Sequence, residues 1–212
     1  MKFRPFFYLL AAIIALFVQV YDMANATLTL GFRLTFMLVL IQLIGFVVFT
    51  YHLKNVVKNE KRLMILMHCV VFMIYLMNLS YELFLDPSIR VAGSGVHYNL
   101  VPFITIKLYM SAYKAGTLSY RTIFMNLAGN MILFMPFGYF IYVLFPRCRN
   151  FFRYFIVMFI SIALVEIIQV IGYVGTGDID DLILNLSGTL ILYIVMCLPL
   201  FKRYLKTIKI IH

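Results

Sequence analysis

The 212-residue sequence predicts an all-α, polytopic membrane helical bundle of about six transmembrane helices. Three observations predict it. Hydrophobic residues make up 64% of the chain and charged residues 12%, against roughly 45–50% and 25% in soluble globular chains. The apolar residues fall in blocks close to the ~20 residues a helix needs to cross a bilayer. The basic residues collect at one set of block ends, the pattern of the positive-inside rule.

Taken in order, the first block covers about residues 5–21 and follows Lys2 and Arg4. With Ala24-Asn25-Ala26 behind it, the segment also resembles a secretory signal and its cleavage site. Its length favours retention as a first transmembrane helix, and cleavage would leave five spans in the same orientation. The second and third blocks, about 32–51 and 63–85, are joined by a segment carrying Lys54, Lys58, Lys61 and Arg62.

Residues 86–122 form one long connection. Its first part holds Pro87, Gly93, Ser94, Gly95 and Pro102 and reads as an irregular loop. After Pro102, Phe103, Ile106, Met110 and Tyr113 recur at helical spacing while Thr105, Lys107, Ser111 and Lys114 point elsewhere. That pattern describes a short amphipathic helix on the outer leaflet, a plain loop with apolar anchors being the other reading.

The fourth block, about 123–145, contains Pro136-Phe137-Gly138. Proline leaves the carbonyl four residues back without its donor, so this helix should bend. Arg147, Arg149 and Arg153 separate it from the fifth block, about 151–173, and the sixth, about 182–201, ends in Lys202, Arg203, Lys206 and Lys209. Altogether 13 of the 18 basic residues lie on one side. Both termini are therefore expected in the cytoplasm. The charge of +10 is topology and not a nucleic-acid surface.

Cys69, Cys148 and Cys197 form no C-x-x-C, and His52, His68, His97 and His212 form no H-E-x-x-H. Neither a disulfide framework nor a zinc site is implied.

In this topology the informative polar residues share one depth, towards the outer face. Glu166, Gln169 and Tyr173 follow i, i+3, i+7; Asp181, Asn185 and Gly188 follow i, i+4, i+7; Asn126 and Asn130 are i, i+4. Each set can present its polar groups on one helix face. Glu82, His97, Asn99, Asp178 and Asp180 join them at the same side. An acid inside a span is a functional hypothesis by default. The competing account is a cap: Asp178 at the N-cap of helix six with Asp181 at N3, both favoured by the helix dipole. Capping leaves Asn185, Glu166 and Gln169 without a reason, which favours a cap plus a polar pocket. Asp178, Asp181, Glu166 and Asn185 offer hard oxygen donors, yet their spacing matches no dedicated metal motif. No metal and no cofactor is expected.

Four stretches resemble the VanZ-like family of bacterial membrane proteins: NLVPF (99–103), NLAGNMILFMPFG (126–138), SIALVEIIQ (161–169) and DIDDLILNLSG (178–188). They stand in the family's order over about residues 97–193. The resemblance divides the chain into residues 1–96, with three helices and the start of the external loop; a VanZ-like domain at 97–195; and residues 196–212, the end of the last helix and a basic tail. It implies a multi-pass bacterial plasma-membrane protein, commonly of Gram-positive bacteria. The founding member is linked to resistance to teicoplanin, a lipoglycopeptide that binds cell-wall precursors outside the membrane. The family pattern falls on Asn99, Pro102, Phe103, Asn130, Pro136, Gly138, Glu166, Gln169, Asp178, Asp181, Asn185 and Gly188. Asp180 falls at a position expected to vary and reads as a mere cap. Three functions follow in order. The first is a polar pocket for a head group of a lipid, a cell-wall precursor or the lipoglycopeptide. The second is a membrane enzyme using Glu166 with Asp178 and Asp181, and the third is a transport or structural bundle. The expected partners are membrane lipids and one of those ligands, with no nucleic acid, and the oligomeric state stays open.

Overall fold

The structure is a computed structural model that describes residues 60–85 and 98–207, together with six isolated positions nearer the N-terminus. The predicted spans at 5–21 and 32–51, the segment 86–97 and its His97 lie outside these described segments. The chain divides into two compact units, Met1–Glu82 with Pro199–His212, and Leu83–Leu198.

In the first unit, helix α1 (Glu60–Ser80) runs into a π-helical turn, Tyr81–Leu85, whose last three residues belong to the second unit. Its buried stripe is Met64, His68, Val71, Tyr75, Asn78 and Leu79, the three-and-four spacing of one helix face. His68 Nδ1 stands 2.7 Å from the Met64 carbonyl, and Asn78 Nδ2 donates to the Ile74 carbonyl at 2.8 Å. Both polar groups thus bond back to their own helix, which makes them tolerable in an apolar setting.

The second unit holds helix α2 (Ile104–Lys114), helices α3 (Tyr120–Leu133) and α4 (Met135–Leu144), a 3₁₀ turn at Pro146–Arg149, then α5 (Phe151–Ile171) and α6 (Ile179–Cys197). Strand β1 (Tyr98–Asn99) pairs in parallel with β2 (Gly177–Asp178), Tyr98 opposite Gly177 and Asn99 opposite Asp178. Among the described residues four helical stretches are long and apolar enough to span a membrane: Met64–Leu85, Tyr120–Leu144, Phe151–Ile171 and Ile179–Cys197. The protein is an all-α membrane bundle.

Local chemistry sets the helix ends. Ser119 caps α3 by accepting the Thr122 N–H at 3.1 Å, so that helix begins before the predicted residue 123. Pro136 has no N–H for the Ile132 carbonyl, and the Phe134 N–H donates to it instead. The apolar stretch accordingly breaks into α3 and α4 at Phe134, as the proline requires. Asn150 caps α5. That helix stops at Ile171, where the Gly172, Tyr173 and Val174 N–H groups fold back onto the Ile168, Val170 and Gln169 carbonyls. The sixth predicted span is displaced: the helix runs Ile179–Cys197 and not 182–201. Asp178 opens it three residues early, and Leu198 is extended because Pro199 follows it. Helix α7 (Pro199–Thr207), which belongs to the first unit, then carries Lys202, Arg203 and Lys206 on one side and Phe201, Tyr204 and Leu205 on the other.

Helix α6 packs against α3, α4 and α5. Two glycines mark close approaches among these helices. A Cβ at Gly188 would overlap the Met131 backbone carbonyl, and one at Gly138 would overlap the Tyr154 hydroxyl. That hydroxyl donates to the Thr189 carbonyl at 3.1 Å. Towards the Arg147–Arg153 end, Tyr193 donates to the Arg149 carbonyl at 2.8 Å and lies against the rings of Tyr142, Phe151 and Tyr154. The polar groups considered next lie at the other end of these helices.

Candidate functional site

The N-termini of α2 and α6 meet at one end of the second unit, and three carboxylates stand between them. Each helix start leaves backbone N–H groups without intrahelical acceptors and carries the positive end of a dipole. Helix α6 is capped locally, by Asp178 accepting the Asp180 N–H at 2.9 Å. Helix α2 cannot be, because its N-cap residue is Phe103, held in the left-handed region at φ 64°. Asp180 supplies the missing acceptors. One of its oxygens accepts from the Phe103 N–H, and the other from Thr105 at 2.9 Å and Ile106 at 3.2 Å. Asp180 is fully buried.

The reading of Asp180 as a mere cap of its own helix is therefore corrected: it caps a different helix across the fold. A second tie runs beside it. Asn99 accepts the Val101 N–H at 3.1 Å, and its amide donates to Asp178 at 3.1 Å and to the Thr105 hydroxyl at 3.3 Å. The Thr105 hydroxyl in turn donates to the other Asp178 oxygen. Together with the β1–β2 pair, these bonds lash segment 98–106 onto the start of α6.

The remaining predicted residues fall into three groups. Asn130 donates to Asp181, joining α3 to α6. Glu166 accepts the Asp178 N–H at 3.3 Å, and its second oxygen has no partner among the described residues. These sit with the carboxylates. Asn126 and Gln169 are bonded elsewhere, Asn126 to the Tyr109 hydroxyl at 3.4 Å and Gln169 to the Leu83 carbonyl at 3.2 Å. Asn185 is buried, and its Oδ1 has no hydrogen-bond partner among the described residues. Tyr173 does not share the face of Glu166 and Gln169. The helix has ended before it, and it takes a left-handed conformation at φ 54°. Of the motif positions, Pro102 lies in the turn ahead of α2, Pro136 in the first turn of α4, and Gly138 and Gly188 at the close contacts above.

Hydrogen bonds to the four carboxylates all come from neutral N–H and O–H groups. Among the described residues these carboxyl groups are compensated by dipoles and not by a cation. The effect reaches Tyr109 on α2: burial pushes its phenol above the ordinary value, Asp181 and Asp178 add to the shift, and the Asn126 hydrogen bond opposes it. Among the described residues no group of three His, Cys, Asp or Glu side chains is arranged to hold a metal ion.

Beside the carboxylates opens a groove of about 410 Å³, lined by Tyr98 and Leu100, by Ala163, Glu166, Ile167 and Val170 of α5, and by Asp178 and Leu182. Its exposed wall is apolar almost throughout, although Glu166 and Asp178 are among the lining residues. Thr105 and Tyr109 are members of this end that sequence reasoning left out of the polar set, whereas Asp180 was placed at this side but read as a cap of its own helix.

A family model described as VanZ/LLP1 matches residues 62–202, well over half of the chain. The match takes in the predicted span at 63–85, which the motif resemblance did not reach. No curated protein and no solved structure matches the chain.

Proposed function

The chain belongs to the VanZ/LLP1 family, and from that premise we propose that it is a bacterial cell-envelope protein whose acid-lined end faces outwards. There it engages the polar head group of an amphiphile and modulates susceptibility to teicoplanin-type lipoglycopeptides. The observation that carries the reading is the position of Glu166: a carboxyl group inside a span, beside an apolar groove, with one oxygen that has no partner among the described residues. Such a group is expensive within the membrane and needs a partner or water. Arg147, Arg149 and Arg153 at the opposite end support the orientation, since basic residues mark the cytoplasmic side.

The test is teicoplanin and vancomycin susceptibility of a sensitive Gram-positive host expressing the wild-type chain, Glu166→Gln, Asp181→Asn or Asn185→Ala at matched membrane abundance. The expected result is protection against teicoplanin alone, lost in Glu166→Gln while the variant still inserts. No protection by the wild type would overturn the reading.

The free oxygen of Glu166 also favours a second reading, a membrane enzyme in which this carboxylate accepts a proton from a lipid-linked or cell-surface substrate. A chemically altered precursor or lipid in expressing cells, absent with Glu166→Gln, would select it. An unchanged precursor pool beside a lost phenotype would select binding.

A further inference from the structure

We infer that helix α7 is a docking surface for the head groups of anionic phospholipids, at the membrane surface where α6 ends. The inference goes beyond the functional reading above and makes no use of the acid-lined end. Three observations carry it. The first is depth. Helix α6 has 19 residues, about 28 Å at 1.5 Å per residue, close to the ~30 Å of a hydrocarbon core. It has no length to spare, so the chain leaves the hydrocarbon near Cys197. Pro199 starts α7 two residues later, which puts α7 among head groups and not in bulk water.

The second is the sorting of charge. Lys202, Arg203 and Lys206 are all exposed, and at 3.6 residues per turn they fall within about 100° of the helix circumference. Helix α7 carries no acid, and Lys209 follows it in sequence. Basic residues clustered just beyond a span attract anionic lipid. Topology alone asks for basic residues on this side of the membrane; it does not ask for them on one face of a helix. The third observation is that the opposite face is already covered. Leu205 is fully buried, and Phe201 and Tyr204 are half-buried. A free amphipathic helix would turn that face into the acyl layer; here the protein holds it, and the basic face is left outward. Leu200, at the start of the helix, is 80% exposed, an apolar group placed to enter the lipid beside those head groups. The charge selects the lipid. Arginine pairs with phosphate oxygens through its planar fork and lysine as a point charge. A choline or ethanolamine head group neutralises its own phosphate, whereas an anionic head group does not.

The experiment is the phospholipid retained by the full chain when it is purified from detergent micelles that hold equal parts of phosphatidylglycerol and phosphatidylcholine, quantified by mass spectrometry of the extracted lipid. Each Lys or Arg near an anionic surface strengthens the attraction by about fivefold. In about 0.1 M salt the wild type should therefore retain phosphatidylglycerol at least about tenfold over phosphatidylcholine. In about 1 M salt, where the Debye length falls from about 10 Å to about 3 Å, that preference should shrink below about twofold. Lys202→Gln, Arg203→Gln and Lys206→Gln combined should bring it below about threefold in low salt. Lys107→Gln, Lys114→Gln and Arg121→Gln combined, an equal loss of charge on α2 and α3, should keep it within about twofold of wild type. Two results that need no variant would overturn the inference: equal retention of the two lipids by the wild type, and a preference that persists in high salt. So would a preference that survives the α7 variant, or one that falls equally in both variants, which would make net charge and not α7 its cause.

Discussion

The Asp180 carboxylate accepts the backbone N–H of Phe103, a residue in the left-handed region 77 positions earlier in the chain. The same side chain also takes the Thr105 and Ile106 N–H groups, so it does for α2 what a local Ser or Asp would do elsewhere. A strained backbone persists where its surroundings over-determine it, and here the surroundings are one buried carboxylate. Asp180→Asn keeps a single acceptor oxygen and turns an N–H₂ towards a donor. Hydrogen bonds to a charged group contribute roughly 1.5–3 kcal/mol each, and 1.4 kcal/mol is tenfold in an equilibrium. Amide exchange at residues 103–106 should therefore quicken by about tenfold or more, with α5 unchanged. Unaltered exchange there would mean that Asp180 does not hold the segment.

Gly188 and Gly138 should behave differently. At Gly188 an added methyl meets the Met131 backbone, which has no way to swing aside; at Gly138 it meets the Tyr154 hydroxyl, the far end of a side chain. Overpacking costs about 1–3 kcal/mol when the neighbours cannot yield. Gly188→Ala should lower the thermal midpoint in detergent by several degrees, and Gly138→Ala by clearly less. The reverse order would show that α3 and α6 separate more easily than α4 and α5.

A suppressor follows from the same contact. Tyr154→Phe gives up one hydrogen bond to the Thr189 carbonyl, a loss of about 0.5–1.5 kcal/mol. It also removes the atom that a Cβ at Gly138 would strike. The double variant Gly138→Ala with Tyr154→Phe should then be more stable than the sum of the single effects predicts, by at least about 0.5 kcal/mol in a double-mutant cycle. Strict additivity in matched thermal melts would place the hydroxyl elsewhere.

How much of this was legible in the sequence depends on which physical constraint wrote it. The bilayer imposes long apolar runs, so the third, fourth and fifth blocks stand close to Met64–Leu85, Tyr120–Leu144 and Phe151–Ile171. Pro136 announces the break at Phe134 because one missing N–H has a local consequence. Helix ends are less legible inside apolar sequence: hydropathy alone cannot tell Cys197 from Phe201, and it takes Pro199 to stop α6. Tyr173 shows the same limit, a residue at helical spacing beyond the end of its helix. Least legible was Asp180. Its neighbours in sequence offer a cap role, and only the fold brings an uncapped helix to it from 75 positions away. Asn185 shares its helix face with Asp181 and Gly188, but no spacing rule foretells a buried Oδ1 without a partner among the described residues.

Asn99 is the residue through which charge at this end can be tested. Its amide donates to Asp178 at 3.1 Å while its carbonyl accepts the Val101 N–H. Asn99→Ala removes these bonds, each contributing about 0.5–1.5 kcal/mol. Asn99→Asp preserves shape and the Val101 acceptor yet sets a carboxylate against a carboxylate. Like charges about 4 Å apart repel by about 4 kcal/mol at an effective dielectric constant near 20. At pH 7.5 Asn99→Asp should accordingly be the less stable variant, despite being the closer isostere. Repulsion makes the folded pair take up a proton at higher pH than the unfolded chain does, whose carboxylates titrate near 4. Between those two values the folded state binds more protons, so its stability rises as pH falls. The thermal midpoint of Asn99→Asp should climb towards that of wild type between pH 7.5 and pH 5, and that of Asn99→Ala should not. An Asn99→Asp protein as stable as Asn99→Ala at neutral pH, and flat with pH, would mean that the amide and Asp178 are not in contact.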